Sequence, residues 1–227
     1  MMTVFYKSSR DEQGILQQTR EAPWFLDRRR KEFMRKVIVF TNLTLDGVMQ
    51  APARPDEDRR GGFEHGGWGA PYNAMALAGD SMPTIPALLL GRRTYEDFYS
   101  VWPKRTDSPF SAMLNNMQKY VASTTLSEPL PWINSTLLKG DAAETVARLK
   151  QESGTDLVIM GSGELVQSLM QANLVDTYVL LIHPLVLGSG RHLFPEGGAA
   201  ATLQLVGTRT TSTGVVIATY QLAKENR

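Results

Sequence analysis

Apolar residues along the chain fall into short runs. Val37-Ile38-Val39-Phe40, Ala87-Leu88-Leu89-Leu90, Leu157-Val158-Ile159-Met160 and Thr177 to His183 are too brief for helices and rich in β-branched or large aliphatic residues. They predict buried strands. Val121-Ala122 and Thr136-Leu137-Leu138 read as two more, and Leu203 to Thr208 and Val215 to Leu222 as closing strands. The first strand runs on through Thr41-Asn42-Leu43-Thr44-Leu45 to the turn pair Asp46-Gly47. A polar stretch rich in Gly and Pro follows, to about Gly69. It is far longer than the ~4–6 residues of an ordinary connection, which suits a binding loop, a lid or a surface insertion. Pro71 to Ala78 reads as a short helix, and Gly91 to Glu96 as a turn and helix start. Asp141 is an N-cap for a helix over Ala142 to Gln151, whose Val146 and Leu149 share a face. After Met160 the period changes, and Leu165, Val166, Leu169 and Met170 recur at helical spacing behind Gly161-Ser162-Gly163. Alternating strands and helices, then consecutive strands, predict an α/β fold. Its sheet is mostly parallel, covered by helices on both faces and finished by antiparallel strands.

Residues 1–33 differ from the rest. They are polar, lack sustained periodicity and end near Arg28-Arg29-Arg30-Lys31. They lack the apolar core of a secretory signal, and Asp11, Glu12, Glu21, Asp27 and Glu32 do not suit a transit peptide. The expectation is a loosely ordered extension over 1–33 and one domain over 34–227. Length of 227 residues and net charge +1 fit one globular domain and give no sign of nucleic-acid binding. With no cysteine, thiol catalysis and Cys-ligated metals are excluded, and a reducing, cytoplasmic setting is expected. No apolar run approaches the ~20 residues that span a bilayer. His65, His183 and His192 are too scattered to suggest a metal site.

Chemistry concentrates in three turns that follow strands: Gly91-Arg92-Arg93-Thr94, Ser123-Thr124-Thr125 and Gly161-Ser162-Gly163. In an open α/β sheet the ends of parallel strands share one edge, where ligands collect. Backbone N–H groups at a helix start suit a diphosphate, and the planar fork of arginine suits a phosphate monoester. The third turn is not the Rossmann fingerprint, because its third glycine is missing and it lies late in the chain. Together the turns point to a nucleotide cofactor touching all three.

These segments, in this order, resemble the cofactor motifs of the dihydrofolate reductase superfamily. Asn42-Leu43-Thr44-Leu45-Asp46-Gly47 and His183-Pro184-Leu185-Val186-Leu187-Gly188-Ser189-Gly190, leading to Leu193-Phe194, are similar to the bacterial riboflavin-biosynthesis reductase domain and its stand-alone relatives. The resemblance covers roughly residues 34–222. It implies a dihydrofolate reductase-like mixed sheet of about eight strands. It also implies an NADPH-dependent reductase acting on a small pyrimidine- or pteridine-like heterocycle, often as a homodimer. Arg92 would face the 2′-phosphate, with Arg93 and Thr94 near the phosphates, and Ser123 and Thr124 would line the adenosine end. Gly161, Ser162, Gly163, Glu164 and Leu165 would wrap the diphosphate, and Asn42 would border the nicotinamide. Asp46-Gly47 would open the loop above it.

Hydride transfer also needs a proton, from water or from a carboxyl of raised pKa. Dihydrofolate reductases place an acid on the helix after the mobile loop, but Tyr72 to Ala78 contains none. Asp46 is the catalytic candidate, with an ordinary Asp-Gly turn as its other reading; Glu64 and Asp80 are further candidates. The bifunctional riboflavin enzymes resembled here carry a deaminase half with a His/Cys zinc site, and this chain has no cysteine, so it is read either as the reductase half alone or as a relative recruited to another substrate. A non-catalytic nucleotide-binding domain that kept the fold is the rival reading. Tyr178 to Ile182 could either pair across subunits or lie buried within one.

Overall fold

A computed structural model describes residues 6–10, 16–20, 34–72, 87–106 and 109–223. Near the N-terminus, β1 (Tyr6–Arg10) and β2 (Leu16–Arg20) pair antiparallel as a small sheet of their own. The sequence reading assigned no element here, because polar residues hide the period-2 signal of a strand.

The domain is built on β3 (Val37–Thr44), β4 (Ala87–Gly91), β5 (Lys119–Ser123), β6 (Ser135–Lys139), β7 (Leu157–Met160), β8 (Thr177–His183), β9 (Leu203–Thr210) and β10 (Val216–Leu222). They form one eight-stranded sheet in the order β6-β5-β4-β7-β3-β8-β10-β9. Pairings from β6 to β8 are parallel, whereas β10 is antiparallel to both β8 and β9. Continuous apolar runs such as Ala87–Leu90 and Leu157–Met160 are explained by this arrangement, since a covered parallel sheet buries both faces.

Side chains alternate between two cores. Val39, Leu89 and Ile159 face one, closed by Val146 and Leu149 of α3 (Ala142–Lys150) and by Val166 and Leu169 of α4 (Gly163–Gln171). Phe40, Leu88, Leu90 and Met160 face the other, closed by Tyr95 of α1 (Arg92–Val101) and Leu114 of α2 (Pro109–Asn116). The predicted N-cap holds, with Asp141 accepting from the Glu144 N–H at 2.9 Å. Helix α2 escaped the sequence reading. It is short, carries only Ser111 and Leu114 as buried positions, and depends on tertiary packing rather than a long apolar stripe.

The long stretch after β3 has a small core of its own, in which Val48, Ala51, Phe63 and Trp68 pack with Leu185 and Leu187. Of the helix expected over Pro71 to Ala78, a 3₁₀ turn at Ala70–Tyr72 is observed; the remainder lies outside the described residues. Tyr178–Leu181 is buried in β8, which is hydrogen-bonded on both edges. That segment therefore sits within one subunit, and any pairing of subunits must use another surface. No helix among the described residues is long and apolar enough to cross a membrane.

Candidate active site

The carboxyl ends of β3, β4, β5 and β7 lie along one edge of the sheet and open into a cavity of about 1160 Å³. Asn42, Gly91, Arg92, Arg93, Thr94, Ser123, Thr124, Gly161, Ser162, Gly163, Glu164 and Leu165 all line it. Parallel strands place their ends together, so motifs up to ~120 positions apart become neighbours without any local signal linking them.

Two strand–helix turns are fastened to each other. Ser162 adopts a left-handed conformation (φ 57°, ψ 49°), uncommon for a residue with a side chain. Its hydroxyl accepts from the Gly91 N–H at 3.0 Å and donates to Thr94 Oγ1 at 2.8 Å. The N-termini of α1 and α4 are thereby brought to one wall of the cavity, where their N–H groups and partial positive charges reinforce each other for an anion. Gly161 has φ +71°, a conformation that leaves its backbone open to close approach. Not every lining residue offers its side chain. The Ser123 hydroxyl accepts from the N–H groups of Thr125 and Leu126, both at 3.1 Å, and so serves its own turn. The Leu165 side chain belongs to the core.

The opposite wall comes from the loop after β3 and from the segment around Arg191; of that loop the sequence singled out Asp46 and Glu64, neither of which lines this wall. Arg54 pairs with Asp97 of α1, and Arg60 pairs with Asp58. Arg60, Arg93 and Arg191 converge on the same oxygen of Glu164, with Arg60 at 3.5 Å and Arg93 at 3.9 Å. Met49 of this loop packs against Gly163, where a Cβ would lie 2.7 Å from its Sδ. Phe98, Trp102 and Phe110 supply an apolar section. Trp102 and Met160 line the cavity as well as packing in the core.

Asp46, the catalytic candidate, is a correction. It is absent from the cavity wall, and its carboxylate accepts from the Gly188 N–H at 2.7 Å and from the Leu187 N–H at 3.2 Å. The Thr44 hydroxyl, then these backbone N–H groups, hold its pKa below the ordinary carboxylate value against the cost of burial. A proton donor needs the opposite shift. Asp46 instead ties the end of β3 to the loop after β8. Its lowered pKa adds stability that is present above the unfolded-state pKa and lost as pH falls through the folded-state pKa. Asp46→Asn should lower the melting temperature at pH 7, and the deficit should shrink as pH falls through the folded-state pKa, as thermal unfolding over an acid pH series would reveal.

Glu64 is exposed and off the wall, and Asp80 lies outside the described residues. Glu57 does line the cavity, and burial raises its pKa even though the Ala53 and Arg54 N–H groups donate to it. No single-sequence pattern marked it, because its burial depends on the path of the loop.

A mixed eight-stranded sheet whose strand–helix turns converge on one edge defines an α/β domain of dihydrofolate reductase-like architecture. The chain belongs to the RibD C-terminal domain family, which it matches over residues 35–217. Two uncharacterized Bacillus subtilis (strain 168) proteins are similar. YyaP is 30% identical over 193 residues, spanning 82% of this chain and 94% of YyaP. YwjB is 31% identical over 180 residues, spanning 77% of this chain and 91% of YwjB. A putative riboflavin biosynthesis protein from Shewanella sp. PV-4 shares the fold with a TM-score of 0.59 at 20% identity, covering 83% of this chain and 99% of that one. The Enterococcus faecalis dihydrofolate reductase complexed with NADP(H) and RAB-propyl does so with a TM-score of 0.55 at 14% identity, covering 85% and 99%. The fold is of reductase type.

Proposed function

We propose that the chain is an NADPH-dependent reductase that delivers hydride to a small heterocyclic substrate of pyrimidine or pteridine type. The observation that carries this reading is the convergence of two helix N-termini, fastened by Ser162, on a cavity that Arg92 also lines. The donor set fits such a cofactor. Backbone N–H groups from Gly161 to Leu165 would hold its diphosphate, and Arg92 its 2′-phosphate. When bound, the cofactor supplies the hydride.

The chain's own residues bind, orient and exclude water. Arg54 fastens the loop after β3 to α1, and Arg60 brings it to within 3.5 Å of α4's Glu164, so the loop spans the cavity from one helix to the other. Phe98, Trp102 and Phe110, packed edge to face, give the cavity an apolar section. Glu57 is a cavity carboxyl whose pKa is raised by burial, the direction a proton donor needs. The complex of the Enterococcus faecalis enzyme with NADP(H) supports the choice of cofactor, and the Shewanella protein's description supports a link to riboflavin chemistry.

The withdrawal of Asp46 from the cavity favours the rival reading, a nucleotide-binding domain without turnover. Nicotinamide fluorescence during titration with NADPH and NADH separates the possibilities. Saturable binding with NADPH preferred by at least ~10-fold, a difference of ~1.4 kcal/mol, is expected. Binding of neither nucleotide would sink the reading. Binding without oxidation of NADPH by any of a panel of pyrimidines, pteridines and flavins would leave the non-catalytic domain.

A further inference from the structure

Arg60, Arg93 and Arg191 come from three separate segments and meet around one carboxylate oxygen, that of Glu164 on the first turn of α4. All four residues line the cavity. Two of the arginines are placed by Gln50, which is buried. Its Nε2 donates to the carbonyl oxygens of Asp58 at 3.2 Å and Arg60 at 3.0 Å, and its Oε1 accepts from the Arg191 N–H at 2.9 Å. One side chain thus fixes the backbone from which both guanidinium groups reach.

The donors of these arginines are unequally used. The Asp58 carboxylate accepts from Nε of Arg60 at 2.8 Å and from its Nη2. Nη1 of Arg60 is buried, makes no hydrogen bond and stops 3.5 Å from Glu164 Oε1. Arg93 stands off at 3.9 Å, whereas Arg191 reaches the same oxygen at 2.5 Å. A buried N–H without an acceptor is costly, so the cluster is short of an oxygen. Glu164 does not supply it. Its side chain is 65% exposed, and ion pairs at that exposure hold weakly. A phosphoryl group offers several oxygens and up to two charges, and it takes paired, charge-assisted bonds from guanidinium.

We propose that Arg60, Arg93 and Arg191 form an anion site for a phosphoryl group, and that Glu164 is its internal counter-ion, displaced into solvent by the ligand. The carboxylate neutralises the arginines until the phosphoryl group arrives, and its exposure lets it swing out without leaving a buried charge behind. The phosphoryl group has two possible sources. It belongs to the diphosphate of a dinucleotide, where the inference rests on the cofactor reading above, or to a phosphate monoester on a second ligand, where it does not.

Inorganic pyrophosphate and phenyl phosphate are the probes, titrated by calorimetry into wild type, Glu164→Gln, Arg60→Gln and Arg191→Gln. Glu164→Gln keeps the shape and removes the competing charge, and it should tighten pyrophosphate ~3- to 10-fold. Arg60→Gln and Arg191→Gln should each weaken it ~10-fold or more, the loss of a charge-assisted hydrogen bond. The sign at Glu164 separates the roles. A carboxylate that merely ties the loop after β3 to α4 would, once removed, loosen the site and weaken the probe. Unchanged or weaker binding to Glu164→Gln overturns the proposal. So does binding that neither arginine change affects, or no saturable binding of either probe to Glu164→Gln. Repeating the titrations with NADPH present distinguishes the sources. Loss of pyrophosphate binding there, with NADPH itself weakened by Arg191→Gln, assigns the site to a dinucleotide. Phenyl phosphate binding that persists beside NADPH assigns it to a second ligand. Wild type that responds to the probes but binds no NADPH would remove the cofactor reading and leave the anion site standing.

Discussion

Arg92→Ala is expected to abolish the preference for NADPH over NADH while leaving NADH binding within ~2-fold of wild type. Arg92 is the first residue of α1, exposed on the cavity rim, and among the described residues it has no ion-pair partner. Its neighbour Arg93 instead shares Glu164 with Arg60 and Arg191. A guanidinium that faces a phosphate monoester makes paired, charge-assisted hydrogen bonds worth ~1.5–3 kcal/mol, or roughly 10- to 100-fold in affinity. NADH lacks the 2′-phosphate and cannot register the loss. Arg92→Lys should retain part of the preference, because an ammonium keeps the charge and loses the planar fork. Parallel titrations of wild type and both variants would measure this. Equal losses for NADPH and NADH would place Arg92 on the diphosphate or in the fold, and would overturn its assignment as the selectivity residue.

Lys119→Met is expected to cause a large loss of stability, with no direct contact to the cavity. Lys119 opens β5 and is fully buried. Its ammonium donates to the carbonyls of Leu114 at 2.8 Å, Asn115 at 3.1 Å and Met117 at 2.7 Å, and lies 4.4 Å from the centre of the Trp132 ring. It thus closes the C-terminal end of α2, where carbonyls lack helical partners. Methionine matches the volume but leaves those carbonyls without their donor, at a cost of about 2–4 kcal/mol. For a chain of this size that lowers the melting temperature by roughly 5–15 °C.

Burial also draws the Lys119 pKa down to about 8 from its ordinary value of 10.5. Between these values the unfolded chain holds more protons than the folded one, so this group's contribution to stability rises with pH through that window. The deficit of the Met variant should therefore grow from pH 7 toward pH 10, as denaturant unfolding at both ends would measure. A variant as stable as wild type would mean that water replaces the ammonium at the helix end.

Much of the architecture was legible because strands and strand–helix turns are written locally. Period-2 and continuous apolar runs located the eight strands of the main sheet, and the glycine-bounded turns after Leu90 and Met160 located the starts of α1 and α4. The assignment of Asp46 failed for a physical reason. Whether an Asp-Gly carboxylate faces a ligand or a neighbouring loop depends on which N–H groups arrive beside it, and here they come from Leu187 and Gly188, more than 140 positions away.

The sequence by itself determined the order of the eight main-sheet strands, the parallel character of the sheet and, through that, the gathering of Gly91 to Thr94, Ser123-Thr124 and Gly161 to Leu165 at one edge. Those features follow from residues within a turn or two of each other and from the geometry shared by all parallel sheets. Only the tertiary structure decided how the loop after β3 crosses the cavity, which arginines meet Glu164, that Glu57 is half-buried at the wall and that His183 meets Asn42. Each of these is a contact between side chains far apart in the chain, set by the path of loops and by burial, and neither quantity leaves a period in the sequence.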